Sequence, residues 1–338
     1  MTTFKGIPHL RDFEFAKKHE YEIVDNINKE PPYLVDVFNR FRKKKAAKIS
    51  LIIIAFIILM AIFMPIISSR TYYDQITSHS YLPPRVPLIE NFGIFDGSQN
   101  GNDMYKTKGA EGVYYVFGTD SLGRDIWVRV WQGARISLYM ALLAIIIDLI
   151  IGVTYGLISG FYSGAVDMIM QRIIEVLNGI PDTVIVTLLV LILKPGILSI
   201  TLALVIKGWI GMSRVTRAQV LKLKNREFIL ASKTLGSSNG KLIFKEILPN
   251  ILGQLIVMSM FSIPSAIFTE AFLAFIGLGL QAPNASLGVL ISDGFKSFLS
   301  SPYMVTIPTI ILSILMFSFN ILADGLRDAF DPTMKDRW

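Results

Sequence analysis

Long apolar runs divide this chain, and polar, mostly basic stretches separate them. A helix of about 20 apolar residues crosses the hydrocarbon core of a bilayer. Runs at Ile49–Ser68, Ile136–Leu157, Ile197–Met212, Ile251–Ala274 and Met304–Leu322 read as spans. One more is interrupted. Pro181 breaks or kinks the helix begun in residues 160–182, so its fully apolar part, Thr183–Leu193, is short. An interrupted span of this kind points to a lumen. The pattern predicts an all-α polytopic membrane protein with six transmembrane helices. Ahead of the first span, Leu34, Val37, Phe38 and Phe41 fall at i, i+3, i+4 and i+7. They lie beside Arg40, Arg42, Lys43, Lys44, Lys45 and Lys48, which predicts an interfacial helix.

That basic flank places the N-terminus in the cytoplasm, and Arg214, Arg217, Lys222, Lys224 and Arg226 mark the same side. Residues 69–117 then fall outside. Pro83, Pro84, Pro87 and several glycines predict a small irregular lobe, with a short strand at Gly112–Phe117. The expected organisation is an N-terminal segment 1–45, a first span 46–68, and a lobe with an amphipathic lead-in helix over 69–135. A five-helix core over 136–323, including a polar loop 226–250, and a cytoplasmic tail 324–338 complete it. No signal peptide is expected in the first 45 residues.

Composition agrees and excludes several classes. The 338 residues are 52% hydrophobic and 17% charged; a soluble domain of this size carries more charge. Cysteine is absent, which excludes disulfides and thiolate metal sites. His9, His19 and His79 are scattered and predict no metal cluster. The net charge of +7 is read as cytoplasmic loops and not as nucleic-acid binding. The nearest string to a P-loop, Gly236 to Leu242, has its glycines one residue too close, and Leu242 cannot ligate Mg²⁺. No catalytic residue is expected, and no cofactor in this chain.

Within the spans, Gly152, Gly156, Gly160 and Gly164 recur every fourth residue and predict a bare helical face for close helix packing. Asp148 and Glu270 are carboxylates in apolar surroundings. Such a group costs about 2.5–3.5 kcal/mol on insertion scales, so each should face protein or a water-filled cavity. They are the candidates for a translocation pathway; a helix-capping role fits Asp148 equally. Asp167, Arg172 and Glu175 are spaced for helical ion pairs. Trp209 is the aromatic nearest the cytoplasmic edge of its span. Residues 275–302 are glycine-rich and too irregular to face lipid, so they line a cavity mouth or fold back into the protein.

The loop Arg226–Asn250 looks built to fold. Phe228, Ile229, Ala231, Ser232 and Leu235 have helical spacing, and Gly236 follows where a helix ends on a positive-φ residue. Leu242, Ile243, Ile247 and Leu248 suggest a second short helix, which Pro249 ends or re-aims. The segment Gly118–Leu138 is a turn on Gly118, Asp120 and Gly123, followed by an amphipathic stretch. Its Trp127 and Trp131 are spaced for an interfacial belt, with Arg124, Arg129 and Arg135 on other faces.

The loop resembles the EAA loop of ABC-importer permeases, Glu-Ala-Ala-x-x-x-Gly followed by Ile-x-Leu-Pro. Ala231, Gly236, Leu248 and Pro249 match in register, while Leu230, Ser232 and Glu246 replace the usual Glu, Ala and Ile. Gly118–Leu138 resembles the GTDxxGRD…GARxSL signature of the oligopeptide/dipeptide permease group. The end resembles that group too, with Asn320, Asp324, Gly325, Leu326, Arg327, Asp328, Asp331 and Pro332 in place. The resemblance implies the C-type permease subunit, with a type I ABC-importer permease fold and an extracytoplasmic loop after the first helix. It implies a bacterial cytoplasmic membrane location with both termini cytoplasmic, membrane lipid around the spans, and short peptides as cargo. It also implies a second homologous permease, two ATP-binding subunits that hold ATP and Mg, and an extracytoplasmic peptide-binding protein. Leu230, Ala231, Ser232, Leu235, Gly236, Ser237, Lys241, Leu248 and Pro249 would be the coupling loop to an ATPase. A second class stays open: a secondary transporter driven by an ion gradient, with Asp148 and Glu270 as coupling carboxylates. It would carry an internal inverted repeat, and none is visible.

Overall fold

The structure, a computed structural model, describes residues 32–99, 101–281 and 283–331. His9 and His19, most of the N-terminal segment and the tail from Pro332 lie outside the described residues. Ten helices carry the architecture: α1 Tyr33–Lys43, α2 Lys45–Ile67, α3 Ile126–Tyr162, α4 Gly164–Gly179, α5 Asp182–Leu193, α6 Ile197–Leu223, α7 Glu227–Thr234, α8 Asn239–Phe275, α9 Leu287–Phe295 and α10 Tyr303–Phe330. Five of them, α2, α3, α6, α8 and α10, are long and apolar enough to cross a membrane. Taken as one broken span, the pair α4–α5 is a sixth, bent by 75° where Ile180 and Pro181 lie between the helices. The interruption expected at Pro181 is therefore present.

Several boundaries differ from expectation. The second span begins at Ile126, not Ile136, because Asp125 caps it by accepting from the Trp127 N–H at 2.9 Å. The anticipated lead-in segment is the first turns of one helix. The second short helix expected after the loop is likewise the start of α8, which runs on through Pro249. A wide π-helical turn at Leu242–Ile247 immediately precedes the proline and accommodates its ring and missing N–H. Residues 324–330, expected as tail, are the last turns of α10. The stretch 275–302 folds back as expected, but it contains the regular helix α9, capped by Ser286.

The N-terminal helix α1 packs on the end of α10. Val37 is buried and Phe41 joins the main apolar cluster. Arg40 donates to the Asp331 carbonyl at 3.2 Å, and Lys44 pairs with Asp328. One end of the molecule thus gathers α1, the last turns of α10, the start of α8 and α7.

At the opposite end sits the lobe. No strand forms at Gly112–Phe117; the Tyr115 carbonyl instead accepts from Arg85 at 2.9 Å and from Gly118 at 3.0 Å, which folds the segment into turns. The two short strands lie elsewhere, at Ser98–Gln99 and Asn102–Asp103. Leu82, Tyr105, Ala110 and Tyr115 form the lobe's own core. His79 bonds the Tyr115 hydroxyl at 2.8 Å. Burial lowers its pKa, and the cationic Arg70 and Lys108 add to the effect. The folded lobe therefore prefers neutral His79. Stability is present above the unfolded value of about 6.5 and is lost as pH falls through the lowered folded value. Hydrogen exchange in residues 79–119 is expected to speed up on acidification in that window, and His79→Gln is expected to remove the pH dependence.

The glycine face is partly as predicted. A Cβ on Gly152 would meet Met212 and the Trp209 carbonyl at 2.8 Å, one on Gly156 the Ser213 carbonyl at 2.5 Å, and one on Gly160 Val220 at 2.8 Å. These three seat α3 against α6. Gly164 does not belong to the face. With Ser163 it adopts positive φ, ends the helix and starts α4 in open space. Gly156→Ala is expected to cost about 1–3 kcal/mol by overpacking. Gly211→Ala, with nothing within 4 Å of the new methyl, is expected to be tolerated; denaturant titration of the purified protein compares them.

Trp127 and Trp131 meet edge to face on α3. Their rings lie 5.6 Å apart and continue to Phe117 and Phe56. Trp209, expected near an edge, is buried against Tyr155, with ring centroids 4.6 Å apart. Arg172 pairs with Glu175 as spaced, but Asp167 turns to α6, where Arg217 grips both its oxygens at 2.7 and 2.5 Å.

Candidate functional site

Two places concentrate functional chemistry: the projecting loop at one end and a cleft among the spans. In the loop, Ile229 is buried with Val220, Leu242, Ile243 and Ile247, which pins α7 to the body. Its other side is free. Phe228, Leu230 and Leu235 are exposed, Leu235 at 88%, and Phe244 is exposed nearby on α8. Exposed apolar side chains gathered on one projection are what a partner surface would cover.

The end of α7 is a Schellman turn. The Ser237 N–H donates to the Ser232 carbonyl at 3.1 Å and the Gly236 N–H to the Lys233 carbonyl at 3.0 Å, with Gly236 at φ +84°. The Ser232 and Ser237 hydroxyls bond each other at 2.9 Å, in the place of the usual apolar contact. Ser238 then caps α8 by accepting from the Lys241 N–H at 3.4 Å. Ala231 and Lys241 are exposed. Leu248 and Pro249 are not part of this projection. They sit inside α8, with Leu248 packed on the buried cluster behind the loop.

The cleft encloses about 570 Å³ between α3, α5, α6 and α8, and both predicted carboxylates line it. Asp148 is 4% exposed and bonds Ser262. It opens a π-helical turn, Asp148–Gly152, and a second such turn, Leu204–Gly208, lies across the cleft on α6. Wide turns of this kind cluster at functional positions. Glu270 is 2% exposed, and its Oε2 accepts from Ser137 Oγ at 3.0 Å. Lys207 enters the cleft from α6 and pairs with Asp182 at 2.5 Å.

Sequence reasoning missed a buried ion cluster. Asp120 Oδ2 accepts from Arg124 Nε and from Arg129 Nη1, both at 2.6 Å, while its Oδ1 accepts the N–H groups of Leu122 and Arg124. Arg129, expected on a face other than that of the tryptophans, is 1% exposed and also lies 4.0 Å from Asp293. Thr119 joins in, accepting from the Leu82 N–H and donating to the His79 carbonyl. Asp125 receives Arg70 at 3.2 Å. The Gly-Thr-Asp and Gly-Arg-Asp residues thus latch the lobe onto the spans. The repeated pairing of Asp and Arg in that stretch was the available signal. The serines beside the carboxylates, Ser137, Ser262 and Ser286, gave none.

Residues 152–336 match the family described as "Binding-protein-dependent transport system inner membrane component". Residues 32–84 match "N-terminal TM domain of oligopeptide transport permease C". The chain is 43% identical over 300 residues to the oligopeptide transport system permease protein OppC of Bacillus subtilis, covering 89% of this chain and 90% of that one. It is 44% identical over 310 residues to the dipeptide transport system permease protein DppC of Lactococcus lactis, with 89% and 90% coverage. With OppC of Salmonella typhimurium it shares 41% identity over 302 residues, covering 89% and 91%. On the family match across its five-span core and these identities along nearly its whole length, the chain belongs to the inner-membrane permease family of binding-protein-dependent ABC importers, alongside the C-type oligopeptide and dipeptide permeases.

Proposed function

We propose that this chain is one permease subunit of an ATP-driven importer of short peptides in a bacterial cytoplasmic membrane, with both termini in the cytoplasm. The observation that carries it is the identity of 40–44% to oligopeptide and dipeptide permeases over 89–90% of this chain. A second, homologous permease completes the pathway. An extracytoplasmic binding protein delivers peptide to the lobe side. Two ATP-binding subunits hold ATP and Mg and hydrolyse the nucleotide; this chain contributes no catalytic group.

The projection α7–Ser237, with Leu230, Leu235 and Phe228 outward, is the contact to one ATPase subunit. Leu230, where relatives of this loop carry Glu, makes that contact more apolar. Closure of the ATPases displaces the projection, and the spans rock between inward-open and outward-open states. Asp148 and Glu270 line the path. Purification in mild detergent is expected to recover two ATP-binding proteins and a second permease with this chain. If the chain alone in liposomes moves peptide down a proton gradient, with no nucleotide-hydrolysing partner, the reading fails.

A further inference from the structure

We infer that Glu270 is an ammonium-recognition point in the cleft, taking the free amino group of a peptide in transit. The inference rests on the peptide-import reading above. Glu270 Oε2 accepts from the Ser137 hydroxyl at 3.0 Å, and the Ser286 hydroxyl lies beside the same carboxyl. Oε1 is buried and has no hydrogen-bond partner from the protein. Glu270 lines the cleft, and this buried oxygen is left with its acceptor capacity unused.

The Ser286 oxygen already accepts from the Val289 N–H at 3.2 Å as the cap of α9, so its single proton goes to Glu270. A carboxyl this deeply buried is ionised only beside a cation. Among the described residues none pairs with it. The two cations on the cleft wall are Lys207 and Arg214. Lys207 is held by Asp182 at 2.5 Å and by the Ile180 carbonyl at 2.6 Å. Arg214 follows Met212, which packs on Gly152 beyond Asp148. Ser137, beside Glu270, lies eleven residues, or ~16 Å of helix, before Asp148. The two basic groups and Glu270 thus occupy different ends of the cleft.

A cation that pairs with Glu270 therefore comes from outside the chain. Peptides vary in side chains but share an α-amino group, a compact cation with three donors. A single unpaired carboxylate oxygen beside apolar walls reads that group and ignores the rest. Ser262, which holds Asp148, is eight residues from Glu270 on α8, ~12 Å along the same wall. That places a second acidic station further along the path.

The test uses the complete transporter in proteoliposomes, with its binding protein and ATPases. Initial uptake is compared for one peptide carrying a free or an acetylated N-terminus. The wild type is expected to prefer the free amine by about tenfold, the equivalent of about 1.4 kcal/mol. Glu270→Gln keeps the volume and the serine bonds, and is expected to bring that ratio to about one. Glu270→Asp withdraws the oxygen from the cleft, is expected to lower the ratio part-way, and serves alone if the Gln variant does not assemble. A ratio unchanged from wild type overturns the proposal and leaves Glu270 as a partner for a cation on the second permease. A wild type that imports neither peptide overturns the peptide reading itself.

Discussion

Gly236→Pro is expected to cut peptide uptake by at least about tenfold while the protein still inserts and accumulates. Proline holds φ near −65° and has no N–H. Gly236 sits at φ +84° and donates its N–H to the Lys233 carbonyl. The substitution removes that bond and the left-handed residue together, so the turn carrying Leu235 must rebuild. Nothing lies within 4 Å of a Cβ there, so the spans feel no clash. Gly236→Ala tests the conformational part alone, at about 1 kcal/mol. Uptake of labelled peptide, normalised to membrane-inserted protein, reads both. Wild-type uptake in the proline variant would remove the projection from the coupling path.

The largest expected effect on stability is at Asp120. Asp120→Ala leaves Arg124 and Arg129 buried with no carboxylate between them, and strands the N–H groups of Leu122 and Arg124. Removing one partner from a buried ion cluster costs about 3–5 kcal/mol. Asp120→Asn keeps an acceptor oxygen and is expected to fall between Ala and wild type. Arg172→Ala is the control, because its pair with Glu175 is exposed and worth about 0.5 kcal/mol or less. Denaturant titration in detergent micelles orders the three; an Asp120→Ala variant as stable as Arg172→Ala would show that the latch does not hold the lobe.

What the sequence disclosed depended on whether the signal was local. The spans, the break at Pro181 and the positive-φ role of Gly236 each rest on a few neighbouring residues and are found where expected. Gly164 continued a spacing but not a helix, because Ser163 and Gly164 change hand together. Gly112–Phe117 is rich in the β-branched and aromatic residues of strands, yet a strand needs a partner edge, and Tyr115 found Arg85 in a turn instead. Pro249 carried a local rule for breaking helices that the wide turn before it overrides. Both pathway carboxylates stood out by their apolar neighbours and do line one cleft. Their serine partners come from other helices, and single-chain periodicity does not show which helices meet. The buried position of Arg129 was hidden for the same reason: its burial depends on the lobe folding over α3.

The three working glycines of α3 have a mechanical consequence. Along that seam the α3 backbone lies directly against the Trp209, Ser213 and Arg217 carbonyls and the side chains of Met212, Thr216 and Val220, which leaves little room for sliding. Helices α3 and α6 therefore act as one stiff lever. Its short arm ends at Leu223, three residues before α7 begins after Arg226, and its wall carries Asp148. A tug on the projection is delivered at the cleft as a rigid tilt and not dissipated along the way.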